Sequence, residues 1–424
     1  MKTELAINLC WNNDQENILK TYKVWLDKCY DNNICLIRLF CCKWSIDSLY
    51  NKKYIKELVG VIAYAKTKNI KISLVLLNFV DFNKNNYLDI NNENYTWQKN
   101  KYNKNSKVST FFNKLDNDFI SDVEYLLQQV CNFDNLEYIE IMNELDQIRC
   151  NRKILAKWCN ELISKLKKDG FNYNYVCSIS NSEQYNYYKF HLNCHVDLHF
   201  YSFPYSSAIK NVKYIKNQST DILYLGEYAK YSDSHYLEDL SSKIYFASGL
   251  WGAFILGMEY TPLHWWWKEL LDNLEYIKIM NNFNELSKMI EIKSYEFLES
   301  KNINYKYIES SLNREKSKIK DRLLNLVYHP SYIFKEYRSV KKLINKKLFR
   351  KEEPIIIKII STNKEFYYIE TNNNTNLELD FINSQNFGDY VLINLITGQE
   401  RIINIKINEK LILNGCYFLE KQDK

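Results

Sequence analysis

The feature that most restricts this chain is a rhythm. Short apolar runs suited to buried strands alternate with polar turns and longer segments of helical period, and eight such units fit into roughly the first 290 residues. Leu5–Leu9, Ile34–Leu39, Ile70–Leu77, Tyr138–Met142, Tyr175–Ile179, Val196–Phe200 and Ile222–Leu225 read as seven strands. The eighth falls in the later half of Phe254–Trp266. Helices are predicted over Glu16–Tyr30, Lys52–Lys68 (with Ile55, Leu58, Val59, Ile62 and Ala63 on one face), Asp118–Cys131, Lys153–Lys168, Glu238–Leu250 and within Lys268–Ile290. Repeated β–α units build either a closed (β/α)8 barrel or an open doubly wound sheet. No strand runs into a G-x-G-x-x-G or phosphate loop, which favours the barrel.

After Ile290 the pattern changes. Ser294–Ile308 and Pro354–Leu419 are short alternating runs broken by turn signals such as T-N-N-N-T-N and T-G-Q-E, the pattern of an antiparallel β-sandwich. The expected organisation is therefore a barrel over residues 1–290 and a C-terminal sandwich over 291–424, with a helical insertion around 311–350. Charge marks that insertion. The chain is +6 overall, but residues 311–353 hold 13 Lys/Arg against 5 Asp/Glu, so the remainder is slightly acidic. Such a balance does not describe a nucleic-acid binder. Between Pro330 and Phe349, Ile333, Tyr337, Val340, Ile344 and Leu348 recur at three- and four-residue steps, with Lys341, Lys342, Lys346 and Lys347 facing away. This helix is read as a solvated face of its domain; the functional alternative is peripheral attachment of 330–349 to an anionic surface.

Eleven scattered cysteines without a C-x-x-C, and an N-terminus that enters a strand directly, lead to the expectation of free thiols in a reducing cytoplasm. Ile244–Leu263 is nearly uncharged and imitates a membrane span. Its glycines, Glu259 and Pro262 fit better with a barrel helix turning into a buried strand.

Chemistry is expected at two strand ends. In I-E-I-M-N-E-L-D, Ile139, Ile141 and Met142 give way to Asn143 and Glu144. In D-I-L-Y-L-G-E-Y-A, an apolar run leads through Gly226 to Glu227, 83 residues later. A lone strand-end glutamate is most often a salt-bridge partner. Two at the C-terminal rim of a parallel barrel, where such folds keep their chemistry, suggest a working pair. Glycosidic cleavage needs one protonated carboxyl for the leaving oxygen and one ionised carboxyl to attack the sugar or activate water.

The pattern resembles the large clan (clan A) of retaining (β/α)8 glycoside hydrolases that includes cellulases, mannanases and β-glycosidases. That resemblance implies Glu144 as acid/base, in an Asn-Glu pair ending strand four, and Glu227 as nucleophile, ending strand seven after Gly. It further implies that Arg38 in I-R-L-F orients the nucleophile and that Asn143 binds the sugar 2-hydroxyl. His199 and Tyr201 in D-L-H-F-Y stand as the His-x-Tyr after strand six, and Trp265, Trp266 and Trp267 as an aromatic floor, although a Trp triplet also suits a core. Asn8, Trp11 and Asn78 follow strands one and three and are expected to line the site; Asn also simply makes turns. The resemblance implies a carbohydrate substrate and neither cofactor nor metal. His191, Cys194, His195 and His199 have the spacing of metal ligands on a helix, but they straddle a strand, where that spacing does not converge. The rival to an enzyme is an inactive barrel that binds a glycan or surface, with the basic segment as its anchor.

Overall fold

The computed structural model describes residues 3–10, 18–41, 49–82, 101–104, 107–181, 184–201, 207–218, 225–230, 237–298, 355–361, 364–371, 377–380, 388–405, 410–413 and 415–421. Trp11, residues 83–100, most of the expected seventh strand and the whole basic helix lie outside them. Two compact units emerge, one from residues 1–237 and 248–285, the other from 238–247 and 286–424.

The first unit is a (β/α)8 barrel. Strands β1 (Leu5–Asn8), β2 (Ile34–Phe40), β3 (Lys71–Asn78), β4 (Leu136–Asn143), β5 (Asn174–Ile179) and β6 (His195–Leu198) form a parallel sheet in sequence order. The sixth barrel strand breaks at His199 and resumes as β7 (Phe200–Tyr201), which pairs in parallel with β8 (Tyr228–Ala229). Closure runs through the segment ending at His264. Tyr228 and Ile7 both bridge to His264, and Glu4 bridges to Tyr260, so the eighth strand lies in the later half of Phe254–Trp266, as the sequence suggests. Every strand of such a barrel is covered on both sides, which explains why β3 reads as a nearly unbroken apolar run.

Helices α1 (Ile18–Asp31), α2 (Lys52–Thr67), α3 (Val108–Asn113), α4 (Asn117–Val130), α5 (Arg152–Lys168), α6 (Tyr185–His191), α7 (Ala208–Gln218), α8 (Leu240–Ile255), α9 (Trp267–Asp272) and α10 (Leu274–Met289) accompany the strands. Asn51, Asp116 and Asn151 cap α2, α4 and α5 by accepting from backbone N–H groups of the first turn. In α2 the buried stripe is Ile55, Leu58, Val61, Ile62 and Ala65, rotated from the expected face. Val59 and Ala63 are only half-buried, while Gly60 faces Leu19 of α1, where a Cβ would lie 3.0 Å from a Leu19 methyl.

The membrane-like stretch is explained by α8. A Cβ at Gly249 would lie 2.6 Å from the Tyr228 ring and one at Gly252 3.0 Å from the Ile209 backbone, so the glycines let α8 lie close on β8 and α7. No described helix is long and apolar enough to cross a membrane.

The second unit carries the C-terminal β-sandwich. Its larger sheet is antiparallel, in the order β14 (Glu400–Ile405), β13 (Gly388–Asn394), β16 (Cys416–Lys421), β11 (Glu365–Glu370), β10 (Ile355–Ser361), β9 (Ile292–Leu298). A second sheet pairs β12 (Leu377–Asp380) with β15 (Lys410–Leu413). Leu413 from the small sheet joins Ile356, Tyr367, Ile369, Tyr390, Leu392 and Leu419 of the large one in a single apolar cluster, which forms the layer between them.

Candidate active site

Register sets the site. Asn8 lies beside Arg38 across β1 and β2, and Asn78 beside Asn143 across β3 and β4, so the polar residues that end these strands come level at the C-terminal mouth. Arg38 is fully buried, a position a guanidinium tolerates only when its donors are satisfied. Its Nε and Nη2 donate to the two oxygens of Glu140 at 2.6 and 2.8 Å. Nη1 donates to Glu227 at 2.9 Å and to Asn8 Oδ1 at 3.3 Å, and Nη2 also reaches Asn143 Oδ1 at 2.8 Å. The second oxygen of Glu227 accepts from the Tyr201 hydroxyl at 2.7 Å. Both oxygens of Glu227 are thus held in place.

Glu144 is placed differently. Its backbone is left-handed (φ 51°, ψ 55°), an unfavourable conformation for a non-glycine residue and one that concentrates at functional sites. The turn is locked around it. The Glu144 N–H donates to Ser178 Oγ at 2.9 Å, and Asp146 accepts from Ser180 N and Asn181 N at 2.8 and 3.0 Å, tying the end of β4 to the end of β5. The Glu144 carboxyl, 14 % exposed, faces His199 Nδ1 at 3.1 Å. Burial first, then the charge of Glu227, raises its pKa against the lowering effect of His199. His199 in turn lies between several carboxyls. Burial pulls its pKa down, but the charge of Glu227, the Asp197 carboxylate 3.6 Å from Nε2 and the hydrogen bond to Glu144 outweigh that and lift it to about 10. These contacts favour the protonated ring, and the stability they contribute is present below pH 6.5 and lost as the pH rises through about 10.

One oxygen of Glu144, one of Glu227 and a ring nitrogen of His199 all lie within 4.8 Å of one another. Among the described residues this is the one set of His, Cys, Asp or Glu donors that converges closely enough to hold a cation. The three groups are also close enough to share protons. His191 ends α6 and His195 opens β6 as exposed residues, away from this convergence.

The remaining expected residues separate into distinct positions. Asn8 is buried and donates to the Gly226 and Leu263 carbonyls, holding the two closing segments to β1. Asn143 donates to Asn78 Oδ1 at 3.2 Å, and the Asn78 amide nitrogen, buried at the mouth, has no hydrogen-bond partner among the described residues. Trp265 and Trp266 are half-buried after the eighth strand. Trp267 is buried edge-on to Trp25 and Trp265, with centroids 6.3 and 5.9 Å away.

Three residues escaped the sequence reading. Glu140 carries the bidentate pair with Arg38. Ser178 links Glu140 (2.7 Å) to the Glu144 backbone. Asp197 accepts from Gly226 N at 2.8 Å. A signal for the first existed: a glutamate inside the apolar run I-E-I and an arginine inside I-R-L are each untenable in a barrel interior unless they meet.

Gly226 is needed for space. A Cβ there would lie 1.9 Å from Asp197 Oδ2 and 3.0 Å from His199 Nε2. Gly226→Ala is expected to cost about 1–3 kcal/mol of stability, as overpacking does, and to displace Glu227. Urea unfolding measures the cost; an unchanged midpoint would show that Asp197 can move aside freely.

Glu144 carries a stability cost of its own. Its pKa is higher folded than unfolded, so its favourable contribution is full below the ordinary 4.5 and drains away as the pH rises through the folded value. Glu144→Gln, which stays neutral, is expected to match the wild type below about pH 4.5 and to exceed it in stability increasingly above. A stability difference independent of pH would contradict this.

The sequence matches no family model and no curated protein. Solved structures resemble the fold. A family 5 glycoside hydrolase from Bacteroides vulgatus ATCC 8482 is 10 % identical, the match covering 98 % of this chain and 88 % of that one with a TM-score of 0.54. A structure described as a glycoside hydrolase is 11 % identical, covering 98 % and 92 %, with a TM-score of 0.53. A family 39 glycoside hydrolase from the gut symbiont Bacteroides cellulosilyticus WH2 is 11 % identical, covering 99 % and 81 %, with a TM-score of 0.51. At these identities the likeness is one of architecture, and the (β/α)8 barrel followed by a C-terminal β-sandwich is the fold this chain shares with glycoside hydrolases of families 5 and 39.

Proposed function

We propose that the protein is a retaining β-glycoside hydrolase in which Glu227 is the nucleophile and Glu144 the acid/base. One observation carries the proposal: two carboxyls with oxygens within 4.8 Å of each other stand in opposite electrostatic settings. Glu227 is ion-paired to Arg38, whereas Glu144 has a raised pKa. A spacing near 5–5.5 Å suits covalent double displacement, because an inverting enzyme needs room for water between its carboxyls.

In the first step Glu227 attacks the anomeric carbon as the glycosidic bond breaks, and Glu144 gives its proton to the departing oxygen. The glycosyl ester removes the charge on Glu227, and with it one cause of the raised Glu144 pKa. Glu144, now a carboxylate, takes a proton from the water that cleaves the ester, and both residues return to their starting states. In this reading Asn143, which bonds Arg38 and Asn78, hydrogen-bonds the sugar 2-hydroxyl as positive charge develops on the ring.

Hydrolysis of a panel of aryl β-glycosides, together with peptide mapping after treatment with a 2-fluoroglycoside that esterifies the nucleophile, tests the proposal. Turnover with retained configuration and a label on Glu227 are expected. No turnover by the intact protein, with glycan binding unchanged in Glu227→Ala, would make it a binding protein instead.

A further inference from the structure

We propose that Asp197 is a positioning residue that holds His199 as a doubly protonated ring, its Nδ1–H shared between Glu144 and Glu227. The geometry leads to this assignment. Asp197 is buried at the end of β6 and uses one oxygen to accept from Gly226 N. Its other oxygen, Oδ2, and His199 Nε2 are both buried, and neither has a hydrogen-bond partner among the described residues, yet they face each other across 3.6 Å. A small closing movement makes them a charge-assisted pair. The opposite nitrogen, Nδ1, lies 3.1 Å from Glu144 Oε1 and 3.4 Å from Glu227 Oε2. Carboxyls thus approach the ring at both nitrogens, and a neutral tautomer would leave one nitrogen a lone-pair acceptor facing an anion.

Gly226 makes this arrangement possible, since any side chain there would occupy the place of Asp197 Oδ2. The charged groups around the ring are Glu144 and Asp146 from the end of β4, Glu227 from the segment before β8, Asp197 from β6 itself, and the Arg38 cation from β2, which together with burial opposes ring protonation. The negative groups prevail.

The consequence for chemistry rests on the double displacement proposed above. While Glu227 is free, the ring proton lies between two carboxyls. When Glu227 becomes an ester, Glu144 is the remaining anionic acceptor at Nδ1, and the imidazolium favours the carboxylate that the second step requires. Asp197 touches neither substrate nor reacting atoms and acts only through His199.

The test needs no turnover, so its outcome stands apart from that of the glycosidase reading. The chain has six histidines, and the ring resonances of the isotope-labelled intact protein can be followed by NMR from pH 5 to 11, with His199 assigned by its loss in His199→Gln. In the wild type His199 is expected to remain charged through neutrality and to titrate near 10. In Asp197→Asn, which keeps an acceptor for Gly226 N, the midpoint is expected to fall by about 1–3 units, the usual effect of losing an adjacent opposite charge. A wild-type midpoint near 6.5 would overturn the proposal even if the variant fails to fold. A midpoint unchanged in a folded Asp197→Asn would overturn it as well.

Discussion

If the proposed double displacement holds, Glu144→Gln is expected to lower kcat for a β-glycoside with an alkyl leaving group by about 10²–10⁴-fold, the range general acid catalysis supplies. The loss is graded by chemistry. An alkoxide cannot leave without a proton, so the whole contribution of Glu144 to bond cleavage is exposed. A dinitrophenolate leaves unaided, so the first step on that substrate survives and the glycosyl ester accumulates, because no base remains to activate water. Azide needs no base; adding it restores turnover and yields the β-glycosyl azide. Steady-state kinetics across a leaving-group series make the measurement. A loss equal for all leaving groups, or no response to azide, would remove Glu144 from the proton-donor role and point to a structural part for its strained backbone.

That assignment began from two strand ends, and much of the barrel was legible for the same reason. Apolar runs such as Ile34–Phe40 and Lys71–Asn78 sit in strands covered on both faces, so burial is written along their whole length. Helices α6 and α7 were not legible. They are short, and in A-I-K-N-V-K-Y-I-K-N-Q the buried Ile209, Val212 and Ile215 recur at three-residue steps amid Lys and Asn common to the whole chain. The candidate site was readable where a residue type is informative by itself, as with Asn143 and Glu144 at the end of β4 and Glu227 just before β8. It was hidden where meaning depends on a partner in space. Glu140 is 102 residues from Arg38 and Asp197 is 29 from Gly226, and neither spacing has a local signature. Gly226 entered the sequence reading only as the residue before Glu227, whereas the structure shows it making room for a second carboxylate.

Arg38→Met tests whether the buried network holds the barrel as well as Glu227. The substitution keeps much of the apolar stem but leaves Glu140 and Glu227 as neighbouring buried carboxyls without their shared cation. Breaking a buried pair by removing one partner costs about 3–5 kcal/mol, because the stranded charge cannot return to water. Urea unfolding should register a loss of that size at neutral pH. The double variant Arg38→Met/Glu140→Gln separates the two duties. With Glu140 neutral, most of the lost stability returns, since removing both partners of a buried pair is far cheaper than removing one. Activity does not return, because Glu227 Oε1 still lacks the donor that was 2.9 Å away. Stability within about 0.5 kcal/mol of the wild type in Arg38→Met, the size of an ordinary surface change, would mean that the barrel interior solvates these carboxyls without Arg38. Recovery of activity in the double variant would assign Arg38 to the fold alone and leave Tyr201 as the residue that orients Glu227.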